Sequence, residues 1–255
     1  MCLLALAWRT DARWPLALIG NRDELHARPS LAADRWEDAP QVLGGRDLEF
    51  GGTWLGVSET GRLAAVTNLR SPADRGVQRA SRGLLTRRFL TGDLDAASLR
   101  RLDLADFNPF NLVVIDRNQA WFATNRPDPQ IRELPPGLHG LSNGPIGDLW
   151  PKTRLAMAAL ADWIAGGGDD VAPLFAALAS EARPADPDLP DSGLDLERER
   201  LLSSAFIRAP VYGTRCSTII LVDADGAGRL DERRFGPDGG VQGETSLAFR
   251  WPMRA

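Results

Sequence analysis

Two stretches near the start of the chain, MCLLALAW (residues 1–8) and LALIGNRDELHARPS (residues 16–30), decide how the rest of it is read. Each opens as a short apolar run, Leu3 to Trp8 and Pro15 to Gly20, and the polar RTDAR lies between the two. Runs of this length bounded by turn residues predict an antiparallel hairpin, with Cys2 at one end and Asn21-Arg22-Asp23-Glu24 just past the second strand. Removal of Met1 would leave Cys2 with both a thiol and a free α-amine. Nucleophile and base would then belong to one residue.

The hairpin pattern recurs downstream. GTWLGVSETGRLAAVTNLR (52–70) places two strand-like segments around SETG, where Gly61 supplies the positive φ of a tight turn, and Asn68 ends the second segment. NPFNLVVIDRNQAWFATN (108–125) turns at DRNQ, and TRCSTIILVDADGAGRLDERRF (214–235) turns at DADGAG. Between the hairpins, helical spacing covers Arg82 to Leu90, Ala96 to Leu102, Pro151 to Ala165 and Val171 to Ala182. In the third block Leu155, Ala158 and Ala159, with Asp162 and Trp163 beyond, read as the apolar face, Pro151 fits the first turn, and GGG at 166–168 ends it. Arg183 to Asp195, rich in Pro and Asp, reads as a long exposed loop, passive or lid-like. Hairpins interleaved with helices predict an α+β protein in which two antiparallel sheets pack together and helices cover them. One domain over residues 1–255 is expected.

Composition narrows the partners. A formal net charge of -4, with basic residues scattered rather than clustered, gives no footprint for nucleic acid. No apolar run is long enough for stable membrane insertion, and the early Arg9, Asp11 and Arg13 break up any secretory signal. Two cysteines, Cys2 and Cys216, are too few for a disulfide scaffold; a bridge between them stays open, but a reducing, cytoplasmic setting suits free thiols better. The expected partner is a small molecule.

The chemistry centres on Cys2. A thiol attacks as thiolate, and its ordinary pKa of roughly 8.5 requires a proton acceptor or a stabilising charge at neutral pH. An α-amine with a reference pKa of about 7.7–8.0 can be that acceptor, so no catalytic histidine is needed. The chain has only His26 and His139, neither at triad or metal spacing, and both read as surface or hydrogen-bonded residues.

Met1-Cys2, NRDE (21–24), GGTWLGV (51–57), TNLR (67–70), LSNGP (141–145) and YGTRCST (212–218) together resemble the NRDE family, also called the transport and Golgi organisation family. That family is similar in fold to the N-terminal nucleophile (Ntn) hydrolases, in particular the cysteine type that cleaves linear amides. The resemblance implies a four-layer αββα sandwich, Cys2 as nucleophile, and site residues at Arg22, Asn143, Arg215 and, less directly, Asn68. By charge, Arg22 and Arg215 would favour thiolate at Cys2. The amides of Asn143 and Asn68 would donate to the oxyanion, at about 3 kcal/mol of transition-state stabilisation per donor. Asp23 would hold the α-amine. No cofactor is required on this reading.

One departure stands out. The hydrolase pattern sets its aspartate three positions after the arginine, whereas here Asp23 follows Arg22 directly and position 25 is Leu. In an extended NRDE the two side chains point to opposite faces, so both cannot face Cys2, and Glu24 shares Arg22's face and could pair with it. Plainer roles exist for each residue: Cys2 and Cys216 as core thiols, Arg22 in a structural ion pair, Asn68 and Asn143 as turn closers, Trp36 and Trp54 as core aromatics. DADGAGRLDE misses the calcium-loop spacing and GGRDLEFGG lacks the context of a nucleotide loop. The resemblance also implies a second class of function, a carrier of haem or lipid without turnover. Cys2, Cys216, His26, His139 and the methionines are then candidate haem ligands, and no haem motif selects among them.

Overall fold

The computed structural model describes residues 2–71, 79–168 and 170–252. Alternating side chains build two antiparallel sheets. The first holds β1 (Cys2–Trp8), β2 (Leu16–Leu25), β10 (Gly137–Leu141), β11 (Tyr212–Val222), β12 (Ala227–Phe235) and β13 (Val241–Arg250), in the order β10-β1-β2-β11-β12-β13. The second runs in chain order through β3 (Ser30–Trp36), β4 (Ala39–Asp47), β5 (Leu55–Ser58), β6 (Arg62–Asn68), β7 (Phe110–Ile115), β8 (Ala120–Thr124) and β9 (Gln130–Leu134).

The period of two sorts each strand between two cores. Leu4, Leu6 and Trp8 of β1, with Leu16 and Leu18 of β2, face the second sheet and meet Leu43, Leu55, Val57, Leu63, Val113 and Phe122. Leu3, Ala5, Ala7, Ala17 and Ile19 face the other way, onto Ala156, Leu160, Leu174 and Leu178 of α3 (Pro151–Ala165) and α4 (Ala172–Leu178). Across the molecule, α1 (Gly83–Thr91) and α2 (Ala96–Leu99) lay Leu85, Phe89, Leu90 and Leu99 on Val66, Leu112 and Val114. A fifth helix, α5 (Leu196–Leu201), follows the Pro-rich segment. The result is the helix–sheet–sheet–helix order expected from the sequence. Each fully buried Leu or Ile contributes about 1.5–3 kcal/mol, and the central layer is the largest of the three cores.

The structure departs from the sequence reading in three places that bear on the site. First, NRDE lies within β2 rather than past it, because β11 continues the ladder as far as Tyr212 opposite Leu25. Second, β3, β4, β9, β10 and β13 add strands that the hairpin pattern did not reveal. Four of these, β3, β9, β10 and β13, are sheet edges. Edge strands carry charge that discourages further pairing, as in SLAADRW and VQGETSLAFR, and this blurs the apolar alternation. Third, α3 buries Lys152, Thr153, Ala156, Leu160 and Trp163; of the expected stripe Trp163 is buried and Leu155 partly so, while Ala158 is exposed. That buried face begins with two polar residues, which an apolar count skips.

Candidate active site

The site is set by register. Cys2 pairs with Arg22, and Arg22 pairs on its other side with Cys216. Alternation then turns Cys2, Arg22 and Glu24 toward the second sheet and Asn21 and Asp23 toward the helices. Hydrogen bonds follow this division. Asn21 Nδ2 donates to the carbonyls of Leu178 and Ala205, both at 2.8 Å. Thr214 Oγ1 donates to Asp23 Oδ1 at 2.7 Å, and the Tyr212 hydroxyl donates to the Asp23 carbonyl at 2.9 Å. On the opposite face the Arg22 guanidinium lies 4.3 Å from the centroid of the Trp54 ring and donates to Ser30 Oγ at 3.3 Å. Among the described residues Glu24 forms no ion pair with Arg22 and instead meets Arg28 Nε at 3.9 Å.

Glycines allow these groups to converge. A Cβ on Gly45 would stand 2.1 Å from the Trp54 ring, so glycine there leaves room for the indole beside Arg22. A Cβ on Gly52 would stand 2.5 Å from the Gly83 carbonyl carbon, so the GG of FGGTW admits the start of α1 to the sheet end. There a cavity of about 130 Å³ is lined by Cys2, Arg22, Asp23, Glu24, Trp54, Asn68 and Arg82, among others, although the Asp23 carboxylate is bonded on the helix side.

The two asparagines play unequal parts. Asn143 is fully buried, and its Nδ2 donates to the Asn68 carbonyl at 3.0 Å and to Asn68 Oδ1 at 2.8 Å. Its amide hydrogens are therefore spent on Asn68, and Asn143 does not line the cavity. With Oδ1 held in this way, Asn68 keeps Nδ2 for the cavity it borders. Two further bonds fasten the same corner: Thr67 Oγ1 donates to the Ser142 carbonyl at 2.6 Å and Ser142 Oγ donates to the Cys2 carbonyl at 3.3 Å.

Arg215 is a correction to the expected thiolate pair. It is the extra residue of a β-bulge between Thr214 and Cys216, and it borders, with Arg22 and Cys216, a separate hollow that Cys2 does not line. Its Nη1 donates to the carbonyls of Leu25, His26 and Arg28 at 2.9, 3.1 and 3.1 Å, tying down the turn after β2. The second cation at Cys2 is Arg82, which precedes α1 and borders the cavity. Behind the sheet a third basic residue, Lys152, is buried and donates from Nζ to the Leu202 carbonyl at 3.0 Å. Sequence reading missed both. Their common signal is a cation at the start of a helix, where the macrodipole opposes it.

Burial pushes the Cys2 thiol above its ordinary range, and Asp23 adds to the shift, against the pull of Arg22 and Arg82. Two arginines thus do not preform a thiolate here, and a nearby proton acceptor is needed. Burial likewise raises the Asp23 carboxyl, opposed by Lys152 and by the Thr214 hydrogen bond. For Lys152 burial prevails over the attraction of Asp23 and brings the ammonium down to about 8.

Cys2 and Cys216 are both free, and with β2 between their strands their Cα atoms are roughly 10 Å apart, beyond disulfide reach. The haem reading finds little support in the donor set. His26 and His139 engage the Ala209 and Pro135 carbonyls through Nε2, at 3.0 and 2.9 Å. A larger hollow of about 510 Å³, beside Leu31, Trp36, Arg46 and Leu48, has no His, Cys or Met in its lining. That hollow supplies no axial haem ligand. DADGAG forms the β11–β12 turn, with Asp223 Oδ1 accepting from the amides of Asp225 and Ala227 at 2.9 and 2.8 Å. Among the described residues no helix is long and apolar enough to cross a membrane.

The architecture and strand order define an Ntn-hydrolase-like α+β sandwich. It aligns with the C2A mutant of conjugated bile acid hydrolase from Clostridium perfringens at a TM-score of 0.52, over 100% of this chain and 99% of that one, with 9% sequence identity. Such a likeness shows the fold alone. The family is shown by sequence: the chain belongs to the Transport and Golgi organisation 2 family, whose model matches residues 1–237. The Homo sapiens Transport and Golgi organization protein 2 homolog is 38% identical over 237 residues, covering 86% of each chain. The Drosophila melanogaster Transport and Golgi organization protein 2 is 29% identical over 241 residues, covering 83% of each.

Proposed function

We propose that this protein is a cysteine amide hydrolase or acyltransferase that acts on a small-molecule carbon–nitrogen amide, with Cys2 as nucleophile once its α-amine is released by loss of Met1. The observation that carries the reading is the pairing of Cys2 with Arg22 at the wall of a cavity that Asn68 also borders. A buried thiol above its ordinary range needs a base within reach, and the amine of the same residue is tethered there. In the first step the Cys2 thiol proton passes to that amine as Sγ bonds to the amide carbonyl carbon. The oxyanion so formed takes a hydrogen bond from Asn68 Nδ2, which Asn143 holds in place. The ammonium then returns its proton to the leaving nitrogen as the C–N bond breaks, giving a thioester. Water, or an acceptor amine, attacks the thioester carbonyl and gives its proton to the Cys2 amine; the C–S bond breaks, the acid or new amide leaves, and the thiol regains its proton.

Arg22 is assigned to electrostatic support of sulfur, Asp23 to the amine from the helix side, and Arg215 to shaping the adjoining turn. The reaction uses no cofactor, and the free thiols suit a cytoplasmic setting. The test is Cys2→Ala and Cys2→Ser against a panel of acyl amides, with intact mass establishing that Met1 is absent. Loss of turnover in both variants supports the assignment, and undiminished turnover removes it.

A further inference from the structure

We propose that Lys152 is a positioning residue that keeps the released α-amine of Cys2 in its base form, by sharing with it the single carboxylate of Asp23. The inference rests on the hydrolase reading above. Of the 30 basic residues in the sequence, one is lysine, and this one is buried to 3% exposure. It occupies the second position of α3, where burial and the positive end of the helix dipole both oppose a cation. A chain that otherwise uses arginine has placed its one amine-bearing basic side chain, the kind whose charge can be lost, in the least favourable position for charge.

Its surroundings explain the placement. Asp23 is one residue past Arg22, the partner of Cys2, so it lies beside the strand end where the amine is released. The charged and titratable groups that act on the Cys2 thiol, Asp23 or Lys152 are, among the described residues, Glu24 on β2, Tyr212 on β11, Arg70 after β6, Glu199 on α5, and Arg22 and Arg82 on the cavity side. Arg70 and Glu199 form a buried ion pair at 2.8 Å and offset each other. Tyr212 is held well above its ordinary range by burial and stays neutral. Glu24 lies on the cavity side, with Arg22, Arg82 and Arg28. Among the described residues this leaves one carboxylate on the helix-facing side, Asp23, for two cations, Lys152 and the Cys2 ammonium. A buried carboxylate balances one of them, so each weakens the hold of the other on its proton. Lys152 itself, brought down to about 8, remains largely charged at neutral pH and shifts the burden to the amine.

With a single lysine, the processed protein contains two amines, each resolvable by isotope labelling. Lys152→Met and Lys152→Arg are compared with the unmodified enzyme, following the Cys2 amine through the 13Cα shift of labelled cysteine and recording kcat/KM against pH. Removing the cation stabilises the ammonium, so in Lys152→Met the amine midpoint and the acid limb of kcat/KM both rise, by about one pH unit. Lys152→Arg retains the charge and leaves both at, or below, their original positions. An amine midpoint unmoved in folded Lys152→Met overturns the proposal. Should that variant fail to fold, the amine midpoint of the unmodified protein decides: below the ordinary α-amine range of about 7.7–8.0 it supports the proposal, and within or above that range it overturns it. The amine titration needs no turnover. Retained turnover in Cys2→Ala would sink the hydrolase reading while leaving the charge competition separately measurable.

Discussion

Cys2 and Cys216 stand on the same face of the same sheet, on either side of the same arginine, and both are buried thiols raised above their ordinary range. They nevertheless face different chemistry. Around Cys216 burial is joined by Glu232, whose negative charge raises the thiol further, and the hollow beside it is only about 50 Å³. Around Cys2 the neighbours are Arg82 and the amide of Asn68, the hollow is larger, and the backbone nitrogen can become an amine. Proximity to Arg22 is common to both and so cannot distinguish them. The difference lies in what can accept the proton and where a carbonyl oxygen can rest.

That contrast can be broken or sharpened by substitution. Cys2→Ala should lower kcat by at least about 1,000-fold, as removal of a catalytic nucleophile does, with the fold retained by circular dichroism. Asn68→Ala should lower kcat by about 100–1,000-fold with little change in KM, since it removes an oxyanion donor. Asn143→Ala should follow in the same direction but less far, because it frees Asn68 without deleting the donor. Its Nδ2 bonds to Asn68 are also lost, so thermal unfolding should show a stability cost of about 1–3 kcal/mol. Cys216→Ala should leave kcat within a few-fold of the unmodified protein and cost about 1 kcal/mol in stability through a small core void. A loss of activity at Cys216 equal to that at Cys2 would erase the distinction.

Much of this arrangement can be read from sequence. Four hairpins and three of the longer helices follow from apolar period and turn residues, and the family motifs mark Cys2, Arg22, Asn68 and Asn143. The opposite orientation of Arg22 and Asp23 also follows from strand alternation alone, and Thr214 meets Asp23 on the face so assigned. Other features depend on long-range pairing. Arg215 sits in a motif that points to the site, yet one inserted residue in β11 re-aims it at the 25–28 turn. No local pattern reports a bulge whose partner strand is nearly 190 residues away. Edge strands were hidden by the same charges that protect them. Arg82 and Lys152 break helix rules rather than obey them, and rule-breaking residues become informative only when the neighbours they oppose are known.

The most direct test is to treat the protein with an acyl-amide electrophile and map the adduct, in protein whose Cys2 amine is free and in protein that keeps Met1. A covalent acyl group on Cys2 in the first preparation, absent or much slower in the second and never on Cys216, is the predicted result. Acylation of Cys216, or equal labelling of Cys2 whether or not its amine is free, would contradict the claim that the terminal residue is its own base.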